Sequence, residues 1–167
     1  CSFESSGSRQ ATLYIVGLGG AITRDVKLGS SISIPEGTVI NAGHYVAFLS
    51  TAPNEVASLD VAPAKVADVS FLARPSRLPV GLHNGITGAV YLFDAFKNLV
   101  TKPTPVNFDL STANGAPQNR SVQSKNGAAW VALDSTPKES AARFMAKADG
   151  VSVLGVIFSI SAWSAPR

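Results

Sequence analysis

Val66-Ala67-Asp68-Val69-Ser70-Phe71-Leu72-Ala73 sets Val69, Phe71 and Ala73 on one side of an extended chain and Asp68, Ser70 and Leu72 on the other. That two-residue period is the mark of a β-strand with one buried face. The pattern recurs on both sides of it. Short apolar or alternating runs at Thr12–Val16, Ser31–Ile34, His44–Leu49, Thr87–Phe93, Val106–Leu110, Arg120–Ser124, Ala128–Leu133 and Val151–Ile160 are separated by Gly, Pro and Asn. Strands spaced by roughly 8–12 residues between turn residues point to a sandwich or barrel. Only Ser135–Ala148 offers a helical reading. Pro137 interrupts it, and Ala142, Phe144 and Ala146 alternate with Arg143, Met145 and Lys147, so a strand from Ser140 is expected instead.

Upstream of Val66 the composition changes. Thr51–Lys65 holds two prolines, several small residues and little periodicity, and reads as a linker or long connection. The expected division is therefore residues 1–65, a β-rich extension, and residues 66–167, a β-sandwich. Trp130 falls in the middle of the Ala128–Leu133 run and is expected in the core, and His44, within an apolar strand, is expected at the core's edge.

The order of pieces after Val66 resembles the bacterial immunoglobulin-like domains of invasin- and intimin-type surface proteins. The corner reads Arg74-Pro75-Ser76-Arg77-Leu78-Pro79-Val80-Gly81, and the following strand ends in Asp94-Ala95-Phe96-Lys97-Asn98. Pro105-Val106-Asn107-Phe108, Asn126-Gly127-Ala128-Ala129-Trp130-Val131-Ala132-Leu133 and Ser140-Ala141-Ala142-Arg143-Phe144-Met145-Ala146 follow in the family's order. The resemblance covers about 100 residues, the size of one such domain. It implies an all-β, immunoglobulin-like β-sandwich in a protein of the extracellular surface. The family's glycine in the Asp94–Asn98 turn is absent here, so that loop is expected to be remodelled.

Composition adds an expectation about partners. Hydrophobic residues make up 46% of the chain and charged residues only 15%, well below the roughly 25% of an average domain, which leaves apolar surface for another chain. Val151–Ile160 is more apolar than a free edge strand tolerates. It must be buried on both faces, covered by the N-terminal segment or joined to a neighbour. The subunit-interface candidates are accordingly Leu13, Tyr14, Ile15, Val16, Leu18 and Ile22 near the start and Val153, Val156, Phe158, Ile160 and Trp163 near the end. Residues 1–65 either add strands to their own sandwich or insert into the next subunit by strand addition. The leading expectation is a non-enzymatic extracellular structural subunit of a pilus or fibre, self-associating into an oligomer or filament. The alternative is a surface adhesin, an immunoglobulin-like module binding carbohydrate or protein from a lipid anchor. A mature N-terminal cysteine is what a bacterial lipoprotein presents after signal-peptide removal, which makes Cys1 the lipidation candidate; pairing with another chain is the alternative. A membrane is expected only through that lipid.

Other chemistries find little support. The net charge is +3, but the basic residues are scattered rather than grouped with aromatics, so nucleic-acid binding is not expected. Gly17-Leu18-Gly19-Gly20 follows a strand, but the third glycine is misplaced for a dinucleotide fingerprint and no helix follows, so a turn or bulge is expected. His44 and His83 have no metal-ligand spacing to Cys, His or carboxylates. No Gly-x-Ser-x-Gly elbow exposes a nucleophile, and the carboxylates are not paired for acid–base work. No catalytic residue, cofactor or metal is expected. Trp130, Trp163, Tyr14, Tyr45 and Tyr91 are the residues from which a sugar-stacking surface would be built.

Overall fold

The computed structural model describes residues 2–3, 10–29, 31–74 and 77–161. The chain separates into two compact units, Cys1–Pro63 and Ala64–Arg167.

The first unit holds β1 (Ser2–Phe3), β2 (Gln10–Gly17), β3 (Gly20–Lys27), β4 (Ile32–Ser33), β5 (Gly43–Leu49) and β6 (Ala52–Val61). β3, β2, β5 and β6 lie side by side in that order, and β1 pairs with β4. Ala11, Leu13 and Ile15 of β2, Val26 of β3, Ile32 of β4, and Tyr45 and Ala47 of β5 form its small core. The β2–β3 hairpin closes at the Gly17↔Gly20 pair, so the Gly17–Gly20 run is a turn, with Leu18 at its tip. Its glycines answer to Tyr45. A β-carbon on Gly17 would stand 2.4 Å from the tyrosine ring, and one on Gly19 would stand 2.8 Å from its hydroxyl, which donates to the Asn41 carbonyl at 2.8 Å.

One expectation about this unit is corrected. Residues 51–65 are not a linker, because Ala52–Val61 is a ten-residue strand paired with β5 from Gly43↔Val61 to Ala47↔Ala57. A register break between Ala47 and Leu49 leaves Pro53 to Val56 outside the ladder, which is why the period-two signal survives only in Ala57, Leu59 and Val61. Within the unit, β2 is hydrogen-bonded to β3 along one edge and to β5 along the other.

The second unit contains β7 (Asp68–Arg74), β8 (Arg77–Pro79), β9 (Ile86–Phe93), β10 (Pro105–Thr112), β11 (Gln118–Gln123), β12 (Ala128–Leu133), β13 (Ser140–Ala148) and β14 (Val151–Ser161). They form a three-stranded sheet, β12-β9-β7, and a five-stranded sheet, β11-β10-β13-β14-β8. The chain leaves the first sheet at Arg74 and joins the second at Arg77, where β8 runs parallel to β14. Ser140–Ala148 is a strand as its alternation requires. Asp149 (φ 47°) and Gly150 (φ 83°) turn it into β14, an Asp-Gly pair of the kind that two-residue hairpins favour. The long final strand pairs with β13 along its length and with β8 at Ser159–Ser161.

The core lies between the two sheets. Val69, Ile86, Val90, Leu92, Ala129, Val131 and Leu133 face it from the three-stranded sheet, and Val106, Phe108, Leu110, Phe144 and Ala146 from the other. Phe71, Phe108 and Phe144 form an aromatic cluster with centroids 5.2 to 6.3 Å apart, and Phe71 and Phe144 meet edge to face at 89°. Two sheets, antiparallel but for the β8–β14 pair, packed over one apolar core make this unit an all-β, immunoglobulin-like β-sandwich.

Candidate binding surface

The inward faces of β7, β9 and β12 are committed to the core, so period two sends the intervening side chains outward. From β7 these are Asp68, Ser70, Leu72 and Arg74; from β9, Thr87, Ala89, Tyr91 and Phe93; from β12, Ala128, Trp130 and Ala132. The registers arrange them in rows across the sheet. Leu72, Ala89 and Trp130 stand side by side, flanked by the row Arg74–Thr87–Ala132 and by the row Ser70–Tyr91–Ala128. Trp130 is 67% exposed, Leu72 54% and Tyr91 50%. Small alanines between them leave the rings raised above a floor of methyl groups.

Trp130 therefore corrects the expectation of a core tryptophan. The run Ala128–Leu133 is apolar throughout, which hides its period; parity is set by the turn before it. Lys125 and Ala128 exchange backbone hydrogen bonds of 2.7 and 3.1 Å around Asn126 (φ 51°) and Gly127 (φ 79°), the two positive φ values that a type I′ turn requires. A β-carbon on Gly127 would stand 2.3 Å from Leu99 Cγ, so that side chain packs against the turn. The register then points Ala129, Val131 and Leu133 inward and leaves Trp130 outside. The Lys125↔Ala128 bridge also extends the Tyr91 row by one cation.

The end of the face beside Phe93 is held by the Asp94–Asn98 turn. Asp94 is 1% exposed. Its Oδ1 accepts the backbone N–H groups of Phe96 and Asn98, both at 2.9 Å. Its Oδ2 accepts the Asn98 side-chain amide at 2.9 Å and the backbone N–H of Ala64 at 3.0 Å. Burial pushes this carboxyl up, and the Asn98 side chain together with the Ala64, Asn98 and Phe96 N–H groups more than reverses that, holding it below the ordinary carboxylate value. Lys97 adopts the left-handed conformation itself, at φ 66°, and its ammonium reaches Asp68 on β7. That hydrogen bond and the ammonium's charge lower the Asp68 pKa.

The other candidates are placed within each unit as follows. Leu13, Ile15 and Ile22 pack into the core of the first unit, and Val153 and Ile160 into that of the second. Tyr14 stacks on Phe48 at 5.1 Å and 12° on the opposite face of the β2–β5 pair, with Val16 exposed two residues on. Leu18 is 99% exposed at its hairpin tip. Cys1 and Trp163, and the side chains of Val156 and Phe158, lie outside the described residues. His44 is exposed rather than at the core edge, 2.8 Å from Asp60 across the β5–β6 pair, and His83 lies 2.8 Å from Asp134. Among the described residues no three His, Cys, Asp or Glu side chains gather as a metal site would need. What the outer face of β12-β9-β7 offers is non-covalent: two ring faces, methyl groups, the hydroxyls of Ser70 and Thr87, and flanking cations.

No protein-family model and no curated protein sequence matches the chain. Solved structures do. The Escherichia coli adhesin FdeC is 14% identical with a TM-score of 0.62, over 96% of this chain and 55% of that one. A glycosyl hydrolase family 2 member from Bacteroides cellulosilyticus is 11% identical with a TM-score of 0.47, over 90% of this chain and 21% of that one. The chain thus spans about half of the adhesin structure that it resembles. At such identity the likeness speaks for fold alone, and that fold is the immunoglobulin-like β-sandwich.

Proposed function

We propose that this chain is a segment of a surface-displayed, adhesin-like protein of the invasin/intimin-type immunoglobulin-like family, and that it acts by binding rather than by catalysis. The Trp130 face is its recognition surface. The observation that carries this reading is the exposure of Trp130, Leu72 and Tyr91 together on one sheet face. Large apolar side chains cost about 25 cal/mol per Å² when left in water, so a contiguous group of them on a folded domain marks a place where something docks. The fold likeness to FdeC is consistent with it, and extracellular display follows from the same reading.

The test compares adhesion of fluorescent beads carrying the full chain, its Trp130→Ala variant or its Tyr91→Ala variant to bacterial and epithelial cell layers and to glycan and protein arrays. Adhesion that falls with both variants, at unchanged thermal stability, supports the reading. Adhesion equal for all three proteins sinks it.

A further inference from the structure

We infer that the ligand of the Trp130 face is an acidic polysaccharide, a chain of sugar rings bearing carboxylates; this rests on the binding reading above. Shape is the first support. A sheet face is flat, and here the rows place Trp130 diagonal to Tyr91, with the small residues Ala89, Ala128 and Ser70 beside them. Ring faces standing clear of an alanine floor present stacking surfaces to the C–H faces of sugar rings. The hydroxyls of Ser70 and Thr87, on either side of the Leu72 row, supply hydrogen bonds of the kind that sugar hydroxyls exchange.

Charge names the kind of sugar. Among the described residues, this face and its rim carry three cations, Arg74, Lys97 and Lys125, against two carboxylates, Asp68, which Lys97 engages, and Asp134, which lies 2.8 Å from His83. Arg74 and Lys125 are exposed, and the face's two carboxylates are paired with other residues, Asp68 with Lys97 and Asp134 with His83. They occupy opposite corners of the apolar strip: Arg74 ends one row, and Lys125 extends the row on the other side of Trp130. Two rows apart is four residues, about 13 Å along the strands, and the three strand spacings from β7 to Lys125 add about 14 Å across the sheet. That span needs an oligomer rather than a single sugar, with stacking in the middle and carboxylates at both ends. Arginine suits the carboxylate role through its paired donors.

The experiment is calorimetric titration of the full chain with polygalacturonate, with its methyl-esterified neutral form, and with poly-L-glutamate, alongside light scattering of the chain alone. Polygalacturonate is expected to bind, with Trp130→Ala and the double variant Arg74→Ala/Lys125→Ala each weakening it by about tenfold or more. The esterified form is expected to bind more weakly and to be indifferent to the double variant. Poly-L-glutamate binding as tightly as polygalacturonate would identify an acidic polypeptide and overturn the inference. So would polygalacturonate binding that survives Trp130→Ala, which would be charge attraction alone. A dimer that Trp130→Ala dissolves, with no polysaccharide bound, would assign the face to a second copy of the chain. If polygalacturonate fails to bind while Trp130→Ala still abolishes bead adhesion, only the ligand class is wrong. If adhesion is indifferent to Trp130, the binding reading itself fails.

Discussion

The ring of Phe144 occupies the space in which a side chain on Gly88 would stand: a β-carbon there would lie 2.6 Å from Cε1 and Cζ of that ring, and 3.1 Å from Phe71. Phe144 belongs to β13 and Gly88 to β9, so the contact joins the two sheets of the sandwich at the aromatic cluster. Gly88→Ala is expected to destabilise the domain by about 1–3 kcal/mol through overpacking. Adding Phe144→Leu should recover part of that loss, because the smaller side chain vacates the collision. Urea denaturation of the two single variants and the double variant reads the coupling directly. Purely additive losses would show that the two positions do not touch.

Trp130→Ala should change stability by no more than about 0.5 kcal/mol, the range for exposed positions away from caps and buried networks. A core tryptophan truncated to alanine loses about 3–5 kcal/mol. Thermal denaturation of this single variant therefore decides which way β12 faces.

Asp94 links the start of the second unit to the β9–β10 turn through Ala64 and Asn98. Its folded pKa lies below the unfolded value near 3.9, so the sign is that of a depressed acid. The contribution is complete above that unfolded value and disappears as pH falls through the folded one. Asp94→Asn keeps the shape but replaces an acceptor with a donor facing N–H groups, and should cost roughly 1–3 kcal/mol at neutral pH. The difference between wild type and variant should shrink in acid. A gap constant from pH 7 to pH 2 would contradict this account.

Lys97 holds a left-handed conformation that non-glycine residues adopt at a cost of about 1 kcal/mol. Lys97→Gly should raise the melting temperature despite losing the Asp68 contact, which is exposed and weak in water. Lys97→Ala loses the same contact without relieving the backbone, and should not. Equal melting temperatures for the two variants would show that the φ angle carries no strain.

In the first unit, Leu13→Ala should destabilise by about 2–5 kcal/mol as a core truncation. Leu18→Ser, at the hairpin tip, should leave stability within about 0.5 kcal/mol of wild type. If both changes were neutral, Leu13 would not be buried where the β2 register puts it.

The sequence by itself determined that the chain is all-β and where most strands run, because period two and turn residues are local. Val69, Phe71 and Ala73 announced their inward face without help, since Asp68 and Ser70 between them are polar. Ser140–Ala148 was legible for the same reason. Where a strand is apolar on both sides, or small and proline-bearing, the local signal is silent. Ala128–Leu133 contains no polar residue to mark its outer face, so Trp130 was placed outside only by the Asn126–Gly127 turn and the pairing with Ala89. Ala52–Val61 hid behind Pro53 and the register break, and became a strand only because β5 offered it an edge. The apolar runs Leu13–Ile22 and Val151–Ile160 told of burial but not of what buries them. Tertiary pairing decided that, setting β2 between β3 and β5 and β14 between β13 and the short β8. The binding face belongs to the same class of fact: Leu72, Tyr91 and Trp130 lie far apart in the chain, and only the register of three strands brings them together.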